Sequence, residues 1–369
     1  MRVLMVSKAC LVGAYQTKLE LIARRADLEL MVIVPPYWRD PAGKIILEKV
    51  HTDGYQMVVD PIRFNGYYHW HYYPLLKRRL GEFEPDIVHI DEEPYNLATW
   101  KAIRDCRSFE CKTLFFSWQN ISRSYPWPFS QMENSVLAHA DFAIMGNNES
   151  AVVWQNKGYR GPLRVIPQFG VSTKSFNRQE PPKGSIDFVI GAAGRLVREK
   201  GIDLIIKSAY SLPGSWELRI AGEGPERKSL EKLAADLGLN SRVKFDGAIS
   251  SQDMPGFLNQ LDVLVLASRT RPNWKEQFGR VIIEAMACEV PVIGSDCGEI
   301  PNVIGPAGLI FPEEDVEALR AHIRYLMEDE EARIELSSAG LKRVMANYTQ
   351  EKVADKTVEV YQEMMALNE

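Results

Sequence analysis

Apolar residues fall along the chain in short blocks separated by polar turns that carry glycine or proline. Stretches with helical spacing lie between the blocks. In the first half the blocks are residues 2–6, 28–35, 55–60, 86–90, 112–117 and 140–145. In the second half they are 186–193, 218–221, 243–245, 261–267, 290–294 and 308–311. Most are apolar at consecutive positions, the pattern of strands covered on both faces in a parallel sheet. Helical spacing over 16–25, 202–211, 226–237 and from 313 onward alternates with them. The prediction is an α/β chain of parallel sheets assembled from βαβ units. A polar, turn-rich stretch at 172–186 separates the two series of blocks and reads as a domain linker.

A length of 369 residues suits two or three domains. The formal net charge of -5 shows no basic excess, which argues against nucleic acid as a partner. No run of 18 apolar residues occurs, so no membrane span is expected. The opening Met1-Arg2-Val3-Leu4-Met5-Val6 turns polar too soon for a signal peptide and reads as a first strand. Five cysteines show no CxxC and no metal spacing. They suggest a reducing, cytoplasmic setting and no metal site.

Candidate chemistry collects where loops leave strand ends, the usual ligand side of such sheets. Between blocks 261–267 and 290–294, Glu276-Gln277-Phe278-Gly279-Arg280 leads into an apolar helical run that contains Glu284. Glu276 is expected on the loop and Glu284 about two turns into the helix. The helix mouth at Phe278, Gly279 and Arg280 offers backbone N–H groups to an anion. An arbitrary pair of glutamates is usually solvated. Glu284, however, sits among Val281, Ile282, Ile283, Ala285 and Met286, where an unpaired carboxylate is costly. After block 186–193 comes Gly194-Arg195…Lys200-Gly201, then a helix. Arg195, Lys200 and a helix N-terminus suit a diphosphate.

In the first half, Asp91-Glu92-Glu93 follows block 86–90, and Pro94 is expected to start a helix. Three adjacent carboxylates should raise one another's pKa. His89, within the block, reads as a core histidine. Gly13 stands in the loop after the first block. Phe64, Tyr67, Tyr68, His69, Trp70, His71, Tyr72 and Tyr73 precede Lys77-Arg78-Arg79. Core packing, an acceptor wall of sugar-stacking rings and a peripheral membrane contact all remain open for this cluster.

The stretch from Glu276 to Glu284 resembles the E-x7-E signature of retaining glycosyltransferases of family 4, including the Phe-Gly after the first Glu and the Glu-Ala-Met-Ala at the second. The resemblance covers most of the chain and is strongest from Gly191 to Phe311. It implies the GT-B fold: two Rossmann-like domains facing each other across a cleft. Residues 1–171 would bind the acceptor and 187–346 the nucleotide sugar, with 347–369 a helix returning to the first domain. It implies further that Glu276 contacts the donor sugar and Glu284 the ribose. Arg195 and Lys200 would bind the diphosphate, and Gly13 would belong to a glycine turn that approaches the diphosphate or the acceptor. No metal and no cofactor beyond the nucleotide-sugar donor is implied. Family members often carry His-x-His-Glu-Pro at the position of His89; here Asp91 replaces the second histidine and becomes the candidate group beside the reacting sugar. The implied acceptor is a sugar, a lipid-linked group or a small molecule. The rival readings are a binding subunit that has lost transfer and an isomerase acting on the nucleotide sugar itself.

Overall fold

A computed structural model describes residues 1–40, 43–179 and 186–366. It contains the strands β1 (Arg2–Val6), β2 (Glu29–Val34), β3 (Tyr37–Asp40), β4 (Gly43–Ile46), β5 (Gln56–Val59), β6 (Ile87–Ile90), β7 (Lys112–Ser117), β8 (Phe142–Met145) and β9 (Leu163–Val165). They are followed by β10 (Phe188–Ala193), β11 (Trp216–Ala221), β12 (Val243–Gly247), β13 (Val263–Leu266), β14 (Val292–Ser295) and β15 (Leu309–Phe311). The chain forms two units: Met1–Gly170 with the segment from Gln350 onward, and Val171–Thr349.

The first unit has a seven-stranded sheet in the order β5-β2-β1-β6-β7-β8-β9, all pairs parallel. Its central strands are mostly apolar because helices cover both faces. Val3, Leu4, Met5 and Val6 are buried and run beside Ile87–Ile90. The second unit has a six-stranded parallel sheet in the order β12-β11-β10-β13-β14-β15. In both sheets the first strand of the unit lies at the point where strand order reverses. β1 sits between β2 and β6, and β10 between β11 and β13. Loops leaving neighbouring strands diverge there and open a crevice at the carboxyl ends.

Helix Gln350–Ala366 belongs to the first unit and packs along helix Gly13–Ala23. Val353, Val358, Tyr361 and Met364 form its buried stripe. Tyr361 Oη lies 2.7 Å from His89 Nδ1 on β6, and the Lys112 ammonium donates to the Met364 carbonyl. His89 is a core residue: burial pushes its pKa well below the usual histidine value. Its Nε2 is buried without a hydrogen-bond partner among the described residues.

Several expectations are corrected. The helix after Glu93 begins at Leu97, three residues beyond Pro94, with Asn96 at its N-cap. The helix expected from residue 16 begins at Gly13. The hairpin β3–β4 and the short edge strand β9 had no block long enough to mark them. Residues 177 and 179, within the expected linker, are held by the second unit. Gln179 N–H donates to Asn259 Oδ1 at 2.7 Å, and Asn259 Nδ2 donates to the Asn177 carbonyl at 3.0 Å. Residues 180–185 of that stretch lie outside the described residues.

Tyr361→Phe removes only the hydroxyl beside His89. It is expected to cost about 1 kcal/mol, and Tyr361→Ala about 3–5 kcal/mol, because a large void is left as well. Thermal unfolding of the two variants beside the parent measures the difference; equal melting temperatures for all three would contradict this account of the returning helix.

Candidate active site

In the second unit, three loops converge beyond the carboxyl ends of β10, β13 and β14. The centre is Glu276, 7% exposed. Its Oε2 accepts from Lys200 Nζ at 2.5 Å and from Ser268 Oγ at 2.8 Å. Lys200 Nζ also lies 5.3 Å from the centre of the Trp274 ring, within cation–π range. A carboxylate this buried needs a cation and donors, and the pair supplies both. The placement of Lys200 depends on Gly201. That residue has φ +62°, and a Cβ there would stand 1.9 Å from the Ala267 carbonyl oxygen, so a side chain would push the two loops apart. The loop that carries Arg195 rests on the Gly222–Gly224 turn. Gly194 N–H donates to the Ala221 carbonyl and Leu196 N–H to the Glu223 carbonyl, each at 2.9 Å. Arg195 itself is exposed.

Gly279 caps the helix Arg280–Ala287 in the left-handed region, with φ +74°. Glu284 is therefore just over one turn into that helix, not two. It is 7% exposed, and its Oε1 accepts from Arg280 Nε at 2.8 Å. Burial raises its pKa, and the Arg280 guanidinium opposes the shift. Phe278 packs edge-on against Tyr348, with ring centres 5.8 Å apart. The structure thus gathers Lys200 and Glu276 into one contact. It keeps Arg195 and the Glu284–Arg280 pair on the same set of strand-end loops and helices.

The three carboxylates of the first unit have three different environments. Asp91 accepts from Ser7 Oγ at 2.5 Å and from Gln168 Nε2 at 2.8 Å, and it makes no helix cap. Glu92 pairs with the Lys8 ammonium, has His71 Nε2 at 3.4 Å, and accepts from Tyr73 Oη at 3.3 Å. Burial works to raise its pKa, but Lys8 and His71 more than offset this and hold it at about 2. Glu93 accepts from Ser117 Oγ at 2.5 Å and from Trp118 N–H at 2.8 Å. Burial dominates there and pushes it up to about 7. The expected mutual elevation is corrected for Glu92, because the Lys8 ammonium pairs with that carboxylate, whereas Glu93 is raised chiefly by burial. The three border a cavity of about 370 Å³ whose lining also includes Lys8, Trp38 and Trp118.

Gly13 opens its helix, and its N–H donates to Glu48 Oε2 at 2.6 Å, so a carboxylate of the chain occupies that helix mouth. The aromatic cluster divides. His71 and Tyr73 are buried against Glu92, whereas Phe64 and Tyr67 are exposed and Trp70 meets Phe129 with ring centres 4.7 Å apart. Of the basic triplet, Arg78 pairs with Glu82 at 2.6 Å and Arg79 with Asp60 at 2.9 Å. Among the described residues no three His, Cys, Asp or Glu side chains converge as a metal site. No described helix is long and apolar enough to cross a membrane.

Sequence reasoning missed Lys8, Ser7 and Gln168 in the first unit, and Ser268 and Trp274 in the second; His71 stood in the aromatic cluster, but its place beside Glu92 was not foreseen. Lys8 carried a usable signal: like Lys200, it is a lysine in the loop after the first strand of its unit.

Two parallel sheets, each with its first strand at the switch point, and a final helix returned to the first unit define the GT-B fold. Residues 173–343 match the family model of glycosyl transferases group 1. The chain is 33% identical over 180 residues to a GDP-mannose-dependent monoacylated alpha-(1-6)-phosphatidylinositol monomannoside mannosyltransferase of Corynebacterium glutamicum, covering 47% of each chain. It is 30% identical over 203 residues to the lipopolysaccharide core biosynthesis glycosyltransferase LpsE of Rhizobium meliloti, covering 54% of this chain and 57% of that one. The chain thus spans about half the length of these curated relatives. Among solved structures, Anabaena HepE in complex with UDP superposes with a TM-score of 0.76 at 18% identity, over 98% of this chain and 100% of that one.

The Glu93 environment sets a pH dependence. Its pKa is about 7 in the fold against 4.5 for an ordinary glutamate, so between these values the folded chain holds more protons than the unfolded one. Stability from this group is therefore lost as pH rises from about 5 to about 7, by a few kcal/mol at most. Glu93→Gln should flatten the decline in melting temperature across pH 5–8 relative to the parent. Parallel curves for the two proteins would contradict the assignment.

Proposed function

We propose that the chain is a retaining glycosyltransferase that moves a sugar from a nucleoside-diphosphate-sugar donor to an acceptor hydroxyl. The observation that carries this reading is the buried Lys200–Glu276 pair on strand-end loops, within the residues that match group 1 glycosyl transferases. In the reaction the bond from the anomeric carbon to the β-phosphate oxygen breaks, and negative charge grows on the departing diphosphate. Lys200 and Arg195 stabilise that charge, with backbone N–H groups at Phe278, Gly279 and Arg280 assisting. No metal is assigned a role. Glu276, paired with Lys200, accepts hydrogen bonds from the transferred sugar, and Glu284 accepts from the ribose. Asp91 of the first unit is the candidate acceptor of a hydrogen bond from the reacting sugar. Retention follows if the acceptor attacks from the face that the diphosphate leaves, and the departing phosphate oxygen then takes the acceptor proton.

Several relatives named for phosphatidylinositol-mannoside or lipopolysaccharide products support a glycan or glycolipid acceptor; a cytoplasmic setting, at the membrane surface where the acceptor is lipid-linked, is part of the same proposal. The exposed rings of Phe64 and Tyr67 suit such a surface.

The purified chain, given UDP- and GDP-sugars, should release nucleoside diphosphate and, with an acceptor, form a product whose anomeric NMR coupling matches the donor. Lys200→Ala or Arg195→Ala should lower kcat/KM by about two to three orders of magnitude, or about 2–4 kcal/mol. Parent-like kcat/KM in both folded variants would overturn the assignment.

A further inference from the structure

The cavity of the first unit is larger than Asp91 alone requires, at about 370 Å³, and its lining has a chemical bias. Trp38, Tyr68 and Trp118 present flat rings, and Asp91, Glu92 and Glu93 supply the polar groups. Rings beside hydrogen-bonding groups suit a hydroxylated ring, whose C–H face rests on the aromatics while its hydroxyls reach oxygen. The site's own donors are largely committed. The Lys8 ammonium is bound to Glu92, and Gln168 Nε2 donates to Asp91. The Trp38 indole N–H is buried and has no hydrogen-bond partner among the described residues. An ionised carboxylate only accepts, so toward Glu92, where burial is more than offset by Lys8 and His71 and the pKa is held at about 2, the ligand has to bring donors. A phosphate brings acceptors and negative charge to three carboxyl groups and a single lysine that is already paired, and is disfavoured on both counts. Hydroxyl and ammonium groups supply what the lining lacks.

We infer that this cavity seats a sugar or polyol ring of the acceptor and selects a ring that is uncharged or amine-bearing over one that carries a phosphate. The inference rests on the transfer function proposed above and narrows its acceptor.

The full chain without donor is titrated with methyl α-mannoside, glucosamine and glucose 6-phosphate while intrinsic tryptophan fluorescence is followed. The first two should give saturable changes, and glucose 6-phosphate should bind at least tenfold more weakly. Trp38→Phe keeps an aromatic ring, though a smaller one, and loses the N–H, and should weaken the first two several-fold. Tyr68→Leu, at a partly exposed wall position, tests the stacking surface should Trp38→Phe not fold. Equal or tighter binding of glucose 6-phosphate, or no response to both other sugars, overturns the inference. A parallel calorimetric titration with UDP and GDP separates the two levels. If nucleotide binding is intact while the sugar results fail, only the acceptor inference falls; if nucleotide binding is absent too, the transfer function falls with it.

Discussion

A carboxylate removed from water must be given a cation or hydrogen-bond donors, or give up its charge, and the arrangement of both units follows from how that requirement is met. In the second unit Lys200 reaches Glu276 at 2.5 Å. The contact requires the loop after β10 to approach the end of β13 so closely that position 201 has no room for a side chain. In the first unit the Lys8 ammonium reaches Glu92, again from the loop after the first strand to the end of its neighbour in the sheet. Two sheets of like topology therefore place the same kind of ion pair at the same kind of crevice.

The two pairs differ in what surrounds them. Around Glu276, Arg195 is exposed, Lys200 lies over Trp274, and a helix mouth stands nearby, so a polyanion finds positive charge that can reorient toward it. Around Glu92, His71 and Tyr73 complete a packed, buried cluster, and the excess charge is negative. The second arrangement suits a ligand rich in donors. This asymmetry is why a diphosphate is assigned to one unit and a hydroxylated ring to the other.

The strands were legible wherever burial on both faces made the chain continuously apolar, as in Val3–Val6 and Val263–Leu266. The hairpin β3–β4 was not, because every residue of β4 is exposed and no apolar block marks it. Glu276, Glu284, Arg195 and Lys200 stood out by spacing and by their apolar surroundings. The partners Ser268 and Trp274, and Gln168 beside Asp91, did not, because no local pattern in the sequence ties them to the residues they touch. The carboxylate run Asp91–Glu93 shows the limit most clearly. Adjacent residues predicted one shared electrostatic fate, yet alternate side chains leave a strand end in different directions, so Lys8 reaches Glu92 while Glu93 turns to Ser117 and Trp118.

The central claim is that the Lys200–Glu276 loops receive the donor diphosphate. A crystal structure of the chain bound to a UDP- or GDP-sugar tests it most directly. The account predicts the diphosphate within hydrogen-bond distance of Lys200 and Arg195, with the ribose hydroxyls on Glu284 and the sugar hydroxyls on Glu276. A diphosphate bound elsewhere, with Lys200 still paired only to Glu276, would contradict it.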